Sequence, residues 1–119
     1  MNNISENSKI NYLNLINKNN NGIFLITKDN CSLCVKLKEL FDKINIKYSI
    51  YTYEETQNEI ENNYPFKTEM KNHTGGKMFP FCYFNCVYVG GYKELHHNFI
   101  TGKLQEQLNK IGIFYEEEF

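Results

Sequence analysis

The stretch Thr27-Lys28-Asp29-Asn30-Cys31-Ser32-Leu33-Cys34 lies where two hydrophobic patterns meet. The apolar run before it predicts a short buried strand over residues 23–27. From Val35 onward, apolar residues recur at three- and four-residue steps, which predicts a helix over residues 32–43. The sequence therefore places two cysteines at the junction of a strand and a helix.

Cys31 is expected near the first turn of this helix. Unpaired backbone N–H groups and the positive end of the helix dipole stabilise an anion there, so this thiol should ionise more readily than a free one. Cys34 comes around the helix towards Cys31, and the two can close a disulfide while the outer thiol stays accessible. The local arrangement predicts thiol–disulfide exchange.

The segments around this junction predict one β-α-β unit. A helical pattern over residues 10–16 follows the cap candidates Ser5 and Ser8, and it is expected to cover one flank of a sheet. Residues 47–51 alternate and are rich in β-branched and aromatic types, which predicts a second strand. Short links between strand, helix and strand indicate a right-handed unit with parallel strands.

The second half of the chain predicts a helix and then a hairpin. A helix is expected over residues 55–63, broken at Tyr64-Pro65 and resumed over 66–72. The remaining predicted elements are hairpin strands at 81–84 and 87–89, followed by helices at 92–98 and 102–110. This order predicts an α/β, thioredoxin-like fold, in which a four-stranded mixed sheet carries helices on both faces.

Length and charge exclude several classes of protein. The 119 residues predict a single domain, with a polar segment at 1–8 and an acidic tail at 114–119. A formal charge of −1 indicates neither nucleic acid nor a membrane surface as a partner, and no apolar run approaches the roughly eighteen residues of a membrane span. We expect a cytosolic protein, where cysteines are more often catalytic or metal-binding than structural. The heavy use of asparagine, isoleucine and lysine suggests an AT-rich coding genome, such as that of a large DNA virus; the location would then be the host cytoplasm or the virion.

A C-x-x-C pair is also half of many zinc sites, so zinc binding is an alternative. The only other cysteines are Cys82 and Cys86. Their spacing along a strand and its turn should hold the two sulfurs far apart, which argues against a site made of all four thiolates. We predict Cys82 to be a core residue and Cys86 a turn thiol. The three histidines are expected to be surface or packing residues, and no metal ligand is assigned.

Three motifs in order resemble those of the glutaredoxins. Residues 28–34 are similar to the family's K-x-x-C-P-Y-C, residues 70–80 to M-x-x-x-T-G-x-x-T-V-P, and residues 85–92 to N-G-x-x-I-G-G. The resemblance runs from the leading helix to Lys110. It implies a dithiol glutaredoxin, an electron-transport oxidoreductase that uses glutathione to reduce protein disulfides and protein–glutathione mixed disulfides.

The resemblance also implies roles for individual residues. Cys31 would be the nucleophile and Cys34 the resolving thiol. Lys28 and Lys67 would meet the glycine carboxylate of glutathione. The remaining implied glutathione contacts are Leu33 beside the ligand, the backbone of Phe79 next to a cis Pro80, and Gly91, Lys93 and Glu94 at the γ-glutamyl end.

Departures from the family pattern leave alternatives open. Ser32-Leu33 replaces Pro-Tyr, and Lys93-Glu94 replaces a hydroxyl–aspartate pair. Some glutaredoxins with serine at the first of these positions hold a [2Fe–2S] cluster between two subunits, so a cluster-bridged dimer is an alternative to the expected monomer. A thioredoxin is less consistent with the chain, which lacks tryptophan. A non-catalytic thioredoxin-like interaction module is the remaining alternative.

Overall fold

The computed structural model describes residues 11–116, which contain one four-stranded sheet with helices on both faces. Its strands are β1 (Ile23–Lys28), β2 (Ser49–Tyr53), β3 (Phe81–Phe84) and β4 (Val87–Gly90). Its helices are α1 (Tyr12–Lys18), α2 (Ser32–Lys43), α3 (Phe66–Thr74), α4 (Tyr92–Thr101) and α5 (Lys103–Asn109), with a π-helical segment at Thr56–Glu61. Across residues 11–116, no helix is long and apolar enough to cross a membrane.

The sheet has the order β2-β1-β3-β4, so that β1 is central. β1 pairs in parallel with β2 and antiparallel with β3, which confirms the predicted β-α-β unit and mixed sheet. The prediction for β2 was two residues early, because the strand covers Ser49–Tyr53 and not 47–51. Pairing with β1 decides the boundary: the register runs from Phe24 opposite Ser49 to Lys28 opposite Tyr53.

Alternating residues of β1 and β3 divide the core into two clusters on opposite faces of the sheet. The first cluster contains Leu25 and Cys82 with the apolar sides of α2, α4 and α5. The second contains Ile26 and Phe81 with α1, α3 and Cys34. Cys82 is fully buried, which confirms its prediction as a core residue.

The first helix and the stretch after β2 differ in detail from the predictions. α1 is capped by Asn11, whose side chain accepts a hydrogen bond from the Asn14 N–H at 3.1 Å, while Ser5, Ser8 and Ile10 lie outside the described residues. α1 buries Tyr12 and Ile16, whereas Leu13, one of the apolar residues in the predicted helical pattern over residues 10–16, is 47% exposed.

The predicted α-helix over 55–63 is a π-helical segment at Thr56–Glu61. Asn58 in this segment is buried, and its side chain accepts from the Glu54 N–H and donates to the Tyr51 hydroxyl. These side-chain bonds tie the segment to β2, a contact that helical periodicity cannot reveal. The predicted interruption at Tyr64-Pro65 is confirmed, since α3 begins at Phe66.

The β3–β4 hairpin turns through Asn85 and Cys86, which both have positive φ. This pair of angles is typical of a two-residue type I′ turn. The Asn85 side chain accepts a hydrogen bond from the Gly22 N–H at 2.7 Å, which fixes the turn against the start of β1. Cys86 lies in this turn, as predicted, and the structure shows it to be half-buried.

The predicted acidic tail at 114–119 is described only as far as residue 116. Phe114 is 71% exposed, but Tyr115 is buried and belongs to the first core cluster. Its backbone carbonyl accepts a hydrogen bond from the Gln105 side chain at 3.0 Å. The chain therefore stays packed against α5 for at least one residue of the segment assigned to the tail.

A hydrogen-bonded chain crosses the second cluster from β3 to α3. The buried hydroxyls of Tyr83 and Tyr12 lie 2.8 Å apart, and the Tyr12 hydroxyl lies 2.9 Å from Nδ1 of His73. Burial raises the pKa of both tyrosines above the ordinary value of 10. Because the folded state disfavours the phenolate, the fold has its full stability only while these hydroxyls are neutral.

We expect this stabilisation to disappear in alkali. A raised pKa gives a contribution that is fully present below the unfolded value, about pH 10, and is lost as pH rises through the folded value. Urea unfolding of the disulfide-bonded protein should therefore show a free energy of unfolding that falls above pH 10, by up to about 1.4 kcal/mol per pH unit for each buried tyrosine. The Tyr83→Phe variant should fall less steeply, and an identical slope would contradict the assignment.

Candidate active site

The two cysteines lie at the junction predicted from the sequence. β1 ends at Lys28, and Cys31 is the N-cap of α2, where its sulfur accepts a hydrogen bond from the Cys34 N–H at 3.2 Å. Cys31 and Cys34 form a disulfide with a Cα–Cα distance of 5.3 Å. Cys31 is half-buried, whereas Cys34 is only 2% exposed. An external thiol can therefore reach Cys31 more easily than Cys34.

The segment Phe79-Pro80 lies between the cysteine motif at residues 28–34 and the glycine pair Gly90-Gly91, and it is close to both. Its peptide bond is cis and both residues are buried. The Lys28 ammonium lies 5.4 Å from the centre of the Phe79 ring, so the strand before the cysteines contacts this segment directly. On the other side, a Cβ added at Gly91 would be 3.0 Å from the Pro80 carbonyl oxygen. Glycine at 91 permits this close approach of two backbones.

A cleft of about 610 Å³ opens beside the cysteine pair. Leu33, between the two cysteines, forms part of its wall. The rest of the wall comes from residues 74–79, before β3, and from residues 88–94, at the end of β4 and the start of α4. The fold thus brings three separate stretches of sequence to one cavity.

Five of the eight residues predicted to bind glutathione line this cleft: Leu33, Phe79, Gly91, Lys93 and Glu94. Lys28 contacts Phe79, and Pro80 approaches Gly91, so both residues lie next to the wall without being part of it. Lys67 is not part of the wall. It lies in the first turn of α3, where its backbone N–H donates to Glu59 Oε2 at 3.0 Å, and its predicted role remains a prediction.

Glu94 shapes the end of the cleft. Its Oε1 accepts a hydrogen bond from the Gly91 N–H at 2.7 Å, which satisfies the backbone donor of the N-cap residue of α4. The side chain passes over Gly90, because a Cβ added there would lie 2.7 Å from the Glu94 Cβ. Gly90 also has φ +126°, a conformation that other residues rarely adopt. One oxygen of the Glu94 carboxylate is therefore engaged by the backbone.

Three lysines surround the cleft. Lys77 and Lys93 line it, and Lys28 lies over Phe79. All three are exposed, and within residues 11–116 none has a carboxylate within ion-pair distance. Together with the backbone N–H groups at the start of α4, they favour a ligand that carries carboxylates.

Sequence reasoning missed several residues of the cleft wall, above all Thr74, Gly76, Met78 and Tyr88. Thr74 belongs to a motif that was recognised, and its hydroxyl accepts a hydrogen bond from the Gly76 N–H at 3.0 Å. Tyr88 was predicted to lie on the hairpin, but alternation along a strand does not say which face meets the cleft.

The arrangement of the cysteines contradicts a zinc site made of all four thiolates. Cys82 belongs to the first core cluster, whereas Cys31 and Cys34 contact the second, on the opposite face of the sheet. Burial also raises the pKa of Cys82 well above its ordinary value, which disfavours the thiolate that a metal requires. Within residues 11–116, no three histidine, cysteine or acidic side chains converge as a metal site.

Several solved glutaredoxins have a similar fold. Oxidized glutaredoxin 2 from Chlamydomonas reinhardtii superposes with a TM-score of 0.68 over 87% of this chain and 98% of that one, at 22% identity. A buckwheat glutaredoxin–glutathione complex superposes with a TM-score of 0.66 over 85% of this chain and 86% of that one, at 24% identity. In sequence, mitochondrial glutaredoxin-2 of Rattus norvegicus is 26% identical over 85 residues, and that of Bos taurus is 27% identical over 85 residues. The chain is similar to glutaredoxins in both sequence and fold.

The glutaredoxin likeness confirms the predicted thioredoxin-like fold with its four-stranded mixed sheet. In both curated glutaredoxins the alignment covers 71% of this chain and 52% of theirs, so the chain spans about half the length of those relatives. No family model matches the sequence. The glutathione of the buckwheat complex belongs to that protein.

Proposed function

We propose that the protein is a glutathione-dependent thiol–disulfide oxidoreductase that reduces protein disulfides and protein–glutathione mixed disulfides. The observation that carries this proposal is the accessible Cys31 sulfur, bonded to the buried Cys34 at a helix N-terminus, beside a cleft bordered by lysines. An external thiolate can attack the Cys31 sulfur while it is in the disulfide. After reduction, the helix N-terminus stabilises the Cys31 thiolate. The likeness to a glutaredoxin solved with glutathione supports the choice of thiol.

In the monothiol route, the Cys31 thiolate attacks the glutathione sulfur of a mixed disulfide. The bond between glutathione and the target breaks, and the target leaves as a thiolate that takes a proton from water. A second glutathione thiolate then attacks the glutathione sulfur held by Cys31, which gives oxidised glutathione and restores the Cys31 thiolate. Sulfur, charge and electrons balance at each exchange.

The dithiol route uses both cysteines. Cys31 attacks a protein disulfide and forms a mixed disulfide with one of its sulfurs, releasing the other as a thiol. Cys34 then attacks Cys31, which frees the second target thiol and leaves the Cys31–Cys34 disulfide seen here. Two glutathione molecules reduce this disulfide and become oxidised glutathione.

In this proposal, the cleft binds glutathione by its charged ends. Lys28 and Lys67 meet the glycine carboxylate. The backbone of Phe79 pairs with the central peptide, beside Pro80. Gly91, Lys93 and Glu94 hold the γ-glutamyl end, where the start of α4 supplies backbone donors.

The deciding experiment is the reduction of a glutathionylated peptide by glutathione, glutathione reductase and NADPH, with iron and zinc measured on the same preparation. We expect saturable turnover by metal-free protein. The matched control replaces glutathione by cysteine at equal thiolate concentration, and release of the peptide thiol is followed directly, because glutathione reductase acts on oxidised glutathione. Turnover should be much slower, because cysteine lacks the flanking peptide groups. Metal-loaded, inactive protein would overturn the proposal.

A [2Fe–2S] cluster bridging two chains is the alternative that the serine at position 32 raised. It would take Cys31 and one glutathione from each chain, so it requires a dimer. We propose the monomer instead, because the Cys31–Cys34 pair serves dithiol exchange without a partner chain. Anaerobic purification with size measurement distinguishes them: a brown, iron-containing dimer would favour the cluster.

A cytosolic location is likewise a proposal, to be checked by fractionation of the source cells.

A further inference from the structure

Tyr88 lies in the wall of the cleft at a position to which no motif gave a role. It is half-buried on β4, and its ring packs against Phe81 and Tyr83 with centre distances of 5.9 Å and 5.8 Å. These two rings belong to the second core cluster, so the orientation of Tyr88 is held by rigid neighbours.

Gly76 leaves the space in which the Tyr88 hydroxyl lies. A Cβ added at Gly76 would be 2.5 Å from the Tyr88 hydroxyl oxygen and 2.8 Å from Cε2 of Phe81. Any other residue at 76 would therefore displace the tyrosine ring. Because Gly76 has no side chain, the Tyr88 hydroxyl can lie at the cleft wall.

The Tyr88 hydroxyl has no hydrogen-bond partner among residues 11–116. Several other tyrosine hydroxyls are paired: Tyr48 donates to Asp42, Tyr64 to Glu69, and Tyr53 to Glu59. Burial, together with the negative charge of Glu94, raises the pKa of Tyr88 above 10, so the group is a protonated donor at neutral pH. An unpaired donor in a ligand-sized cleft is suited to bind an acceptor on the ligand.

We propose that Tyr88 is a further ligand-binding residue, whose hydroxyl donates a hydrogen bond to the α-carboxylate at the γ-glutamyl end of glutathione. This inference rests on the function proposed above. The γ-glutamyl α-carbon carries a carboxylate and an ammonium. The carboxylate suits the Tyr88 donor and the Lys93 cation, and the ammonium suits the Glu94 oxygen that the Gly91 N–H leaves free.

The Tyr88→Phe variant tests this proposal, since it removes one oxygen and keeps the ring. The KM for a glutathionylated peptide should rise about tenfold with kcat within twofold, as expected for a lost hydrogen bond to a charged group. The same peptide disulfide-bonded to cysteinylglycine lacks the γ-glutamyl group, and its kinetics should not change. Tyr48→Phe is the control, because it removes a hydroxyl that bonds Asp42 outside the cleft.

A binding measurement separates this proposal from the proposed function. S-methylglutathione cannot undergo thiol exchange, and an NMR titration should show that it binds the Tyr88→Phe variant about tenfold more weakly than the wild type. An inactive wild type that shows this difference would end the proposed function and leave the Tyr88 site standing. Equal binding by both proteins, no binding by the wild type, or an equal loss with both peptide disulfides would overturn the role of Tyr88.

Discussion

Replacing Cys31 by serine should abolish reduction of a glutathionylated peptide, with a loss of at least about a thousandfold in kcat/KM. Cys31 is the more accessible sulfur of the pair and caps α2, so it is the group that external disulfides meet. A serine hydroxyl at this position does not ionise at neutral pH and forms no disulfide. The measurement is the coupled glutathione assay, with unfolding curves to show that the variant is folded.

The Cys34→Ser variant should behave differently. It should keep reduction of the glutathionylated peptide within a few-fold of wild type, since the monothiol route needs only Cys31. It should lose reduction of a protein disulfide, because the trapped mixed disulfide has no resolving thiol. Cys86→Ser is the matched control: it removes a half-buried free cysteine in the β3–β4 turn and should change neither activity. If the Cys34→Ser variant lost activity and the Cys31→Ser variant kept it, the assigned roles would be reversed.

Replacing Gly90 by alanine should lower the free energy of unfolding by about 3 kcal/mol. Two effects add at this position. The backbone has φ +126°, which strains any residue with a side chain, and the new Cβ would lie 2.7 Å from the Glu94 Cβ, an atom close to the helix backbone that cannot simply swing away. Urea denaturation measures the loss.

Gly112→Ala is the matched control for this variant. Gly112 also has positive φ, +81°, but a Cβ there would meet nothing within 4 Å. Only the backbone strain remains, so the expected loss is about 1 kcal/mol. Equal losses at the two positions would show that the contact with Glu94 contributes nothing. Because Glu94 caps α4 through Gly91, we also expect Gly90→Ala to weaken glutathione binding, whereas Gly112→Ala should not.

Local patterns were sufficient to predict the redox centre. A buried strand, a C-x-x-C pair and a helical period follow one another without interruption between residues 23 and 43, and each depends only on near neighbours in sequence. The same is true of the turn at Asn85-Cys86 and of the interruption before α3. Five predicted binding residues lie together on the cleft wall, because the motifs that carry them lie at the ends of strands and helices.

Contacts between distant segments decided the remainder. The boundaries of β2 follow from its register with β1, and the π-helical segment follows from the buried side chain of Asn58. Neither depends on periodicity within its own stretch. Tyr115 is buried because α5 offers its side chain and backbone a place to pack, although its acidic neighbours resemble a solvated tail.

The sequence by itself determined the fold class, the order of the strands along the chain and the pair of sulfurs, since these depend on residue type and spacing. Only the tertiary structure decided that Cys82 faces away from that pair and that Tyr88 faces the cleft. A strand presents alternate side chains to its two faces, and nothing in the strand itself states which face meets the active site. That choice depends on the helices that pack on each side, and so on residues far away in sequence.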